Sequence, residues 1–267
     1  MTQPILITGG TGTLGKLVVT RLVADHPLRV LSRGRKASIA GVEHVTADLI
    51  TGRGITDALA GVRTVIHLTG GPKGDDVAAR HLMKAASAAD VEHVVAISIV
   101  GADRVPLGYF RAKAELERTL AASGVGWSAV RSAQFHELCL DLTLKMAKLP
   151  VVPDPQGLRF QPIAAAEVAD RVVDLALGNP AGRVEDLVGP TTYGTSELVR
   201  AALAPRGKRR LFMPVRIPGK AGRAYRAGLN LSHPTSRGRQ TWEAFITRIE
   251  ASTDEVGSHR PAAGKAQ

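Results

Sequence analysis

The sequence predicts an α/β fold with a doubly wound parallel sheet, because short apolar segments alternate with helical segments over the first 130 residues. Several segments are continuous runs of Val, Ile and Leu, as expected of parallel strands buried on both faces. The helical segments carry apolar residues at spacings of three and four, as in Leu14, Leu17, Val18 and Leu22. The six predicted strands are residues 4–8, 28–32, 43–46, 64–68, 93–98 and 126–130.

The pattern is less regular after Arg131. The Pro-rich segment 149–163 predicts a short hairpin or an irregular connection. Residues 184–188 predict a strand added late to the sheet edge. The predicted helices cover residues 134–147, 166–177, 195–204 and 240–250.

The composition is that of a globular protein, with 44% hydrophobic and 22% charged residues among 267. It excludes a disordered chain, a collagen-like repeat and a coiled coil. The single cysteine, Cys139, excludes an intramolecular disulfide, and no Cys/His spacing predicts a metal site. Without a signal-peptide pattern or an apolar run of about 20 residues, we expect a soluble cytoplasmic protein, monomeric or homodimeric, with no membrane partner.

The net charge of +11 comes from one part of the chain. Residues 198–242 contain 11 Lys and Arg and no Asp or Glu, so the remaining residues carry 24 basic and 24 acidic side chains. This stretch either steers an anionic partner such as nucleic acid or is a solvated basic face. The lack of interleaved aromatic residues favours the solvated face.

A glycine-rich turn follows the first predicted strand, in the segment ILITGGTGTLGK at residues 5–16. Gly9, Gly12 and Gly15 have the spacing at which a chain turns tightly and its backbone approaches a pyrophosphate. The amides at the start of the next helix then bind the anion. This strand–turn–helix order predicts a Rossmann-type dinucleotide site, to which we also assign Thr11, Thr13 and Leu14. A Walker-type P-loop is excluded, because no Gly-Lys-Ser/Thr follows the glycines.

The end of the second strand predicts which dinucleotide binds. A site for NAD(H) usually has an Asp or Glu there, which holds the ribose 2′-hydroxyl. Here the strand ends in Ser32-Arg33-Gly34-Arg35-Lys36, with no carboxylate. We expect Ser32, Arg33 and Arg35 to hold a 2′-phosphate, and NADP(H) to be preferred over NAD(H).

The segment TGGTGTLG, with a strand before it, resembles the atypical branch of the short-chain dehydrogenase/reductase superfamily that is called NmrA-like. The resemblance continues through Ala47-Asp48-Leu49, His67-Leu68-Thr69-Gly70 and Ser98 to the Tyr-x-x-x-Lys motif of Tyr109 and Lys113. It implies that Asp48 and Leu49 meet the adenine, that Leu68, Thr69 and Gly70 pass beneath the adenine ribose, and that Ser98, Tyr109 and Lys113 catalyse hydride transfer.

The chain is expected to divide into two regions and a tail. We expect residues 1–150 to form an NAD(P)-binding domain and residues 151–251 to form a small C-terminal substrate-binding region packed on it as one α/β unit. The polar, Gly/Ala/Pro-rich residues 252–267 predict a flexible tail. Residues 151–160 and residues 205–226 are candidate lid elements over the substrate pocket.

The spacing of Tyr109 and Lys113 has a physical basis of its own. Residues four apart share one helical face, so both side chains can point into one cleft. A phenol has a pKa near 10, and a nearby cation stabilises its phenolate. We therefore expect Lys113 to tune Tyr109 and to hold the nicotinamide ribose. Ser98 ends a parallel strand, where such sheets bind their ligands, and is expected to orient a substrate carbonyl.

The sixth strand leads into a segment that we expect to border the nicotinamide and the substrate. Gln134, Phe135 and His136 are candidate pocket residues, although a buried structural role is as consistent with His136.

Together these features predict an NADP(H)-dependent oxidoreductase that transfers hydride to or from a small carbonyl, quinone or enone-like substrate. Two alternatives remain open. One is a non-catalytic NmrA-like sensor of NAD(P) with a protein or nucleic-acid partner. The other is an NAD(P)-dependent epimerase or dehydratase acting on a nucleotide sugar.

Overall fold

The structure is a computed structural model that describes residues 3–34, 39–71 and 74–258. Its central sheet has seven parallel strands in the order β3-β2-β1-β4-β5-β6-β9. These strands are β1 Ile5–Thr8, β2 Leu28–Ser32, β3 Val42–Thr46, β4 Thr64–His67, β5 His93–Ile99, β6 Gly126–Ser132 and β9 Gly182–Arg183. The predicted doubly wound Rossmann-type α/β fold is confirmed.

Helices cover both faces of the sheet, and each face has its own hydrophobic core. One core includes Val18 and Val172, and the other includes Leu82 and Leu116. The helices are α1 Thr13–Leu22, α2 Ile55–Ala58, α3 Asp75–Ala88, α4 Gly108–Ala121, α5 His136–Met146, α6 Ala165–Leu177, α7 Thr195–Leu203, α8 Gly219–Arg226 and α9 Trp242–Ser258, with a 3₁₀ turn at Ala204–Arg206.

Two small sheets lie outside the central one. In the first, β7 (Val151–Pro155) pairs in parallel with β11 (Leu211–Val215). In the second, β8 (Arg159–Phe160) pairs antiparallel with β10 (Tyr193–Gly194). Residues 149–163 therefore do not form a hairpin, because both strands in this segment pair with later parts of the chain.

The edge of the central sheet also differs from the prediction. A strand was expected over residues 184–188, whereas β9 lies at Gly182–Arg183 and only a single bridge joins Leu187 to Ser132. Helix α9 runs to Ser258, so helical structure enters the segment 252–267 that the sequence assigned to a tail; residues 259–267 lie outside the described residues.

The order of the strands indicates where a ligand would bind. The chain order reverses between β1 and β4, which lie side by side at the centre of the sheet. In open parallel sheets, ligands bind in the crevice beyond the carboxyl ends of the strands at such a point. The glycine-rich turn follows β1, and Tyr109 and Lys113 lie on α4, which follows β5.

Candidate active site

The turn after β1 is shaped by glycines. Gly9 has a left-handed backbone, with φ of 73°, and its carbonyl accepts a hydrogen bond from the Gly12 amide at 3.0 Å. A Cβ at Gly9 would lie 2.9 Å from the backbone of Leu68 and Thr69. No side chain caps the N-terminus of α1, and its first turn contains no acidic residue. Its first amides are therefore free to bind a pyrophosphate.

Gly15 holds α1 against this turn. A Cβ at Gly15 would lie 2.1 Å from the Gly9 carbonyl oxygen and 2.6 Å from the Gly10 Cα. Because both of these atoms belong to the backbone, a side chain is accommodated only if the turn itself moves.

We expect Gly15→Ala to weaken NADPH binding at least tenfold, because the displaced turn no longer presents its amides together. Isothermal titration calorimetry measures this change. Gly108→Ala is the matched control, since a Cβ there meets nothing within 4 Å and should leave the affinity unchanged. Equal affinities for both variants would contradict the assigned role of Gly15.

A cavity of about 330 Å³ opens between the glycine turn, β4, β5, β6 and α4. It brings together most of the residues that the sequence analysis assigned to the cofactor, the chemistry and the substrate: Gly9, Gly12, Thr13, Leu14, Gly15, Leu68, Gly70, Ser98, Tyr109, Lys113, Gln134 and Phe135. A larger depression of about 650 Å³ lies where the strands begin, beside Arg63 and Glu92, but the glycine-rich turn after β1 does not line it. The 330 Å³ cavity is therefore the candidate site.

The C-terminal region contributes less to this cavity than expected. All of the cavity's lining residues lie between Gly9 and Leu138, and none comes from residues 151–251 or from the candidate lid segments. Contact is indirect: the ring of Tyr225 on α8 lies edge-on to Phe110, with ring centres 6.4 Å apart, next to Tyr109. The assignment of residues 151–251 to substrate binding stays a prediction.

Lys113 is buried in an ion pair that the sequence analysis missed. Its Nζ lies 3.0 Å from Oδ2 of Asp75 in the first turn of α3, and the two side chains are only 2% and 6% exposed. The other Asp75 oxygen accepts a hydrogen bond from the Gly71 amide, and Lys113 also donates to the Thr69 carbonyl. In the sequence, Asp75 and Asp76 indicate only a favourable interaction of two carboxylates with the dipole at the start of a helix. No local pattern identified Asp75 as the partner of Lys113.

Tyr109 lines the cavity as a neutral phenol. Burial, and secondarily the negative charge of Asp75, raise the pKa of its hydroxyl to about 12. The ammonium of Lys113 lies 5.8 Å from the centre of the Tyr109 ring. This direction is opposite to the one expected from Lys113 alone, because burial disfavours the phenolate and the negative charge of Asp75 adds to that effect. The geometry therefore favours Tyr109 as a proton donor rather than as a phenolate base.

The hydroxyl of Ser98 is committed to another group. It donates to Glu117 on α4 at 2.5 Å, and Glu117 also receives two hydrogen bonds from Arg131, which reaches on to Asp103. In this arrangement the single hydrogen of Ser98 is directed at a carboxylate, so Ser98 can accept a hydrogen bond from a ligand but does not donate one to a carbonyl.

The remaining residues assigned to the dinucleotide lie in the glycine turn and at the ends of β2 and β3. Thr11 and Arg33 are exposed, and the Ser32 hydroxyl donates to the Gly34 carbonyl. Asp48 accepts a hydrogen bond from the Ile50 amide, which lowers the pKa of its carboxyl, and Leu49 is buried. Arg35 lies outside the described residues.

His136 is not part of the cavity wall, which corrects one of the two interpretations offered for it. It is fully buried, and its imidazole lies 5.0 Å from the Phe245 ring and 5.8 Å from the Trp242 ring, centre to centre. The helix start turns Gln134 and Phe135 toward the cavity and His136 into the core under α9.

Burial makes His136 a source of acid sensitivity. Burial lowers the pKa of the His136 imidazole to about 4, whereas a histidine in the unfolded chain titrates near 6.5. Between these two pH values, the proton therefore binds the unfolded chain and not the folded protein. We expect this group to reduce the free energy of unfolding by about 1.4 kcal/mol per pH unit from 6.5 toward 4. In urea titrations, His136→Leu should remove this component while the similar one from His67, whose pKa is lowered to about 3 by burial and Lys113, remains. An unchanged slope would show that His136 is not the source.

Comparison with known proteins decides the family. A family model described as NAD(P)H-binding matches residues 9–178, which include the glycine turn, the cavity and α6. The chain belongs to this NAD(P)H-binding family. The match confirms the resemblance to atypical short-chain dehydrogenase/reductases and agrees with the uncapped helix start that faces the cavity.

Two similar proteins and one similar structure are named as oxidoreductases. The chain is 28% identical to quinone oxidoreductase 2 of Escherichia coli, over 76% of this chain and 75% of that one. It is 32% identical to an NAD(P)H azoreductase of Xenophilus azovorans, over 76% and 74%. The structure of an E. coli NADPH-dependent quinone oxidoreductase in complex with NADPH superposes with a TM-score of 0.79 at 21% identity, covering 92% of this chain and 99% of that one. The prediction of an NAD(P)-dependent oxidoreductase is confirmed at the level of enzyme class.

Two kinds of feature are absent from the described residues. No described helix is both long and apolar enough to cross a bilayer. Within the same residues, no group of three or more His, Cys, Asp or Glu is placed to hold a metal ion.

Proposed function

We propose that the protein uses NADPH to reduce a small quinone-like or conjugated carbonyl compound. One observation carries the proposal: a neutral phenol, Tyr109, and an uncapped glycine turn line the same cavity. The rest of the lining includes Ile97, Ile99, Phe135 and Leu138, which suit an apolar planar ring. The quinone and azo reductases among the relatives support the same substrate class.

The chain's own residues would hold the dinucleotide along the cavity. The amides after Gly9 and at the start of α1 suit the pyrophosphate, and Arg33 suits a 2′-phosphate. Gly70 leaves room beside Lys113, because a Cβ there would lie 3.1 Å from Nζ. Family resemblance assigns Lys113 to the nicotinamide ribose, and its pairing with Asp75 fixes the position of that ammonium.

The bound dinucleotide supplies the hydride. Tyr109 donates a hydrogen bond to the substrate oxygen and then its proton, so that the substrate gains one hydride and one proton in total. The proton is replaced from solvent. A phenol that stays protonated at neutral pH suits this direction of reaction, and Gln134, which lines the cavity, would help to hold the substrate.

A turnover assay tests the proposed function. Oxidation of NADPH is followed by absorbance with a panel of ortho- and para-quinones, a conjugated enone, an azo dye and a nucleotide sugar. Turnover with quinones or the enone is expected. Conversion of the nucleotide sugar alone, followed by chromatography because an epimerase regenerates its dinucleotide and leaves the NADPH absorbance unchanged, would overturn the proposal in favour of an epimerase. Tight NADPH binding with no turnover of any compound would overturn it in favour of a sensor.

We expect NADPH to bind more tightly than NADH, with Arg33 responsible for part of the difference. An arginine–phosphate hydrogen bond contributes about 1.5–3 kcal/mol, so Arg33→Ala should weaken NADPH binding by about ten- to 100-fold and leave NADH unchanged. Calorimetry with both dinucleotides measures this, with Arg118→Ala, an exposed arginine on α4, as the control. Equal losses for both dinucleotides would assign Arg33 to a role other than phosphate recognition.

A further inference from the structure

The two-stranded sheet of β7 and β11 has one covered and one bare face. Successive residues of a strand point to opposite faces, and residues in register on neighbouring strands share a face. Val152 and Phe212 pack on Val199 and Leu203 of the helical layer. Val151, Leu211 and Met213 therefore point the other way, and they are 40%, 72% and 53% exposed. With Leu149, which is 46% exposed, they form what we call the outer patch.

Cations border the outer patch. Lys148, Arg209 and Arg210 line a surface depression together with Pro150 and Leu211, so the charged and apolar side chains share one surface. Arg210 is anchored by a hydrogen bond from its Nε to the Ala147 carbonyl, while Lys148 and Arg209 are exposed. Asp154, the acidic residue on β7, is two residues after Val152 and is therefore on the covered face of the sheet.

Further exposed apolar side chains lie on α5, which runs in the chain from the cavity wall to the residues just before the outer patch. Leu138 and Leu142 are one helical turn apart and each is 50% exposed, and Leu138 lines the candidate site. Helix α5 ends at Met146, three residues before Leu149. Exposed apolar side chains thus occur from the cavity wall to the outer patch.

We propose that the outer patch docks the protein on the surface of an anionic lipid bilayer. Aliphatic side chains surrounded by Lys and Arg suit insertion among acyl chains with the cations at anionic headgroups. Nucleic acid fits less well, because the patch offers no aromatic ring for base stacking. A second copy also fits less well, because a two-fold contact would bring like charges together. Docking needs no spanning helix, does not depend on the proposed reaction, and replaces the expectation from the sequence that the protein has no membrane partner.

Vesicle flotation tests the proposal. The full-length protein is mixed with vesicles of phosphatidylcholine alone or with 30% phosphatidylglycerol, at low and high salt. We expect binding to the anionic vesicles only, and weaker binding at high salt. Equal recovery with both vesicle types, or no recovery with either, would overturn the proposal.

Matched variants locate the surface. Lys148→Gln/Arg209→Gln should reduce partitioning about 30-fold, at about 1 kcal/mol per cation. Lys84→Gln/Arg118→Gln, which removes two cations from a different depression, should leave it unchanged. Leu211→Ser should reduce it about fivefold or more, whereas Leu177→Ser, at a residue that is 53% exposed on α6, should not.

Two other outcomes would reject the bilayer as occupant. Retention on heparin or DNA that survives Leu211→Ser, without flotation, would indicate nucleic acid. A dimer in light scattering that dissociates on Leu211→Ser, without flotation, would indicate a second copy of the chain.

Discussion

Replacing Lys113 by methionine should lower the free energy of unfolding by about 3–5 kcal/mol, one of the two largest effects expected in this chain. The change removes the partner of Asp75, whose side chain is only 6% exposed, and leaves a carboxylate buried without its counter-charge. The remaining hydrogen bond from the Gly71 amide does not replace a full positive charge. Asp75→Asn should also destabilise the fold, because it leaves the buried ammonium of Lys113 without its carboxylate.

The double variant Asp75→Asn/Lys113→Met identifies the pair as the cause. With no charge left in the site, its cost should be smaller than the sum of the two single costs. Guanidinium unfolding at pH 7 measures all three variants. Lys145→Met is the control, because the Lys145–Asp141 pair is 64% and 56% exposed and should contribute less than about 1 kcal/mol. A cost for Lys113→Met as small as the control's would refute a buried, energetically coupled pair.

The central sheet could be predicted because the residue types in each strand reflect how deeply that strand is buried. β1, β4 and β5 are buried along nearly their whole length and read as unbroken apolar runs, which few other structures tolerate. The glycine turn could be predicted equally well from the sequence. Its requirements, a left-handed Gly9 and close packing at Gly15, are met by residues within one short segment.

Contacts between distant segments could not be predicted in the same way. β7 pairs with β11 across about 60 residues of chain, and no local pattern marks the partner of either strand. The same limit explains why part of the candidate site was missed in the sequence. Tyr109 and Lys113 follow from their spacing, but Asp75 reaches Lys113 only because α3 and α4 lie side by side in the fold, and Glu117 takes the Ser98 hydrogen for a similar reason.

Asp75 also alters what the Tyr-Lys motif does. A lysine beside a tyrosine predicts an easily formed phenolate, yet burial and the Asp75 charge move the Tyr109 pKa to about 12. The motif is thus recognisable in the sequence, while the protonation state of its tyrosine depends on burial and, secondarily, on a third residue. This distinction matters for the reaction, because a protonated phenol favours reduction of a carbonyl or quinone over oxidation of an alcohol.

Tyr109→Phe should lower kcat for the best quinone or enone substrate by about 10²–10⁴-fold, the usual contribution of a positioned proton donor. NADPH affinity should change little, since the ring that packs on Ile99 and Phe110 is kept. Tyr225→Phe is the matched control, because it removes the same hydroxyl from a neighbouring tyrosine that does not line the cavity. Ser98→Ala should cost less than about tenfold, because its hydrogen already serves Glu117.

The pH dependence separates a proton donor from a residue that only shapes the cavity. With a Tyr109 pKa of about 12, the donor stays protonated and kcat should show no loss from this group between pH 7 and 10. Asp75→Asn removes one of the two causes that raise the pKa and leaves Lys113 uncompensated, so an alkaline decline in kcat should move to lower pH. Spectrophotometric titration of the phenolate should shift in the same direction. If Tyr109→Phe retains full turnover, or if Asp75→Asn leaves both profiles unchanged, Tyr109 is not the proton donor that Asp75 tunes.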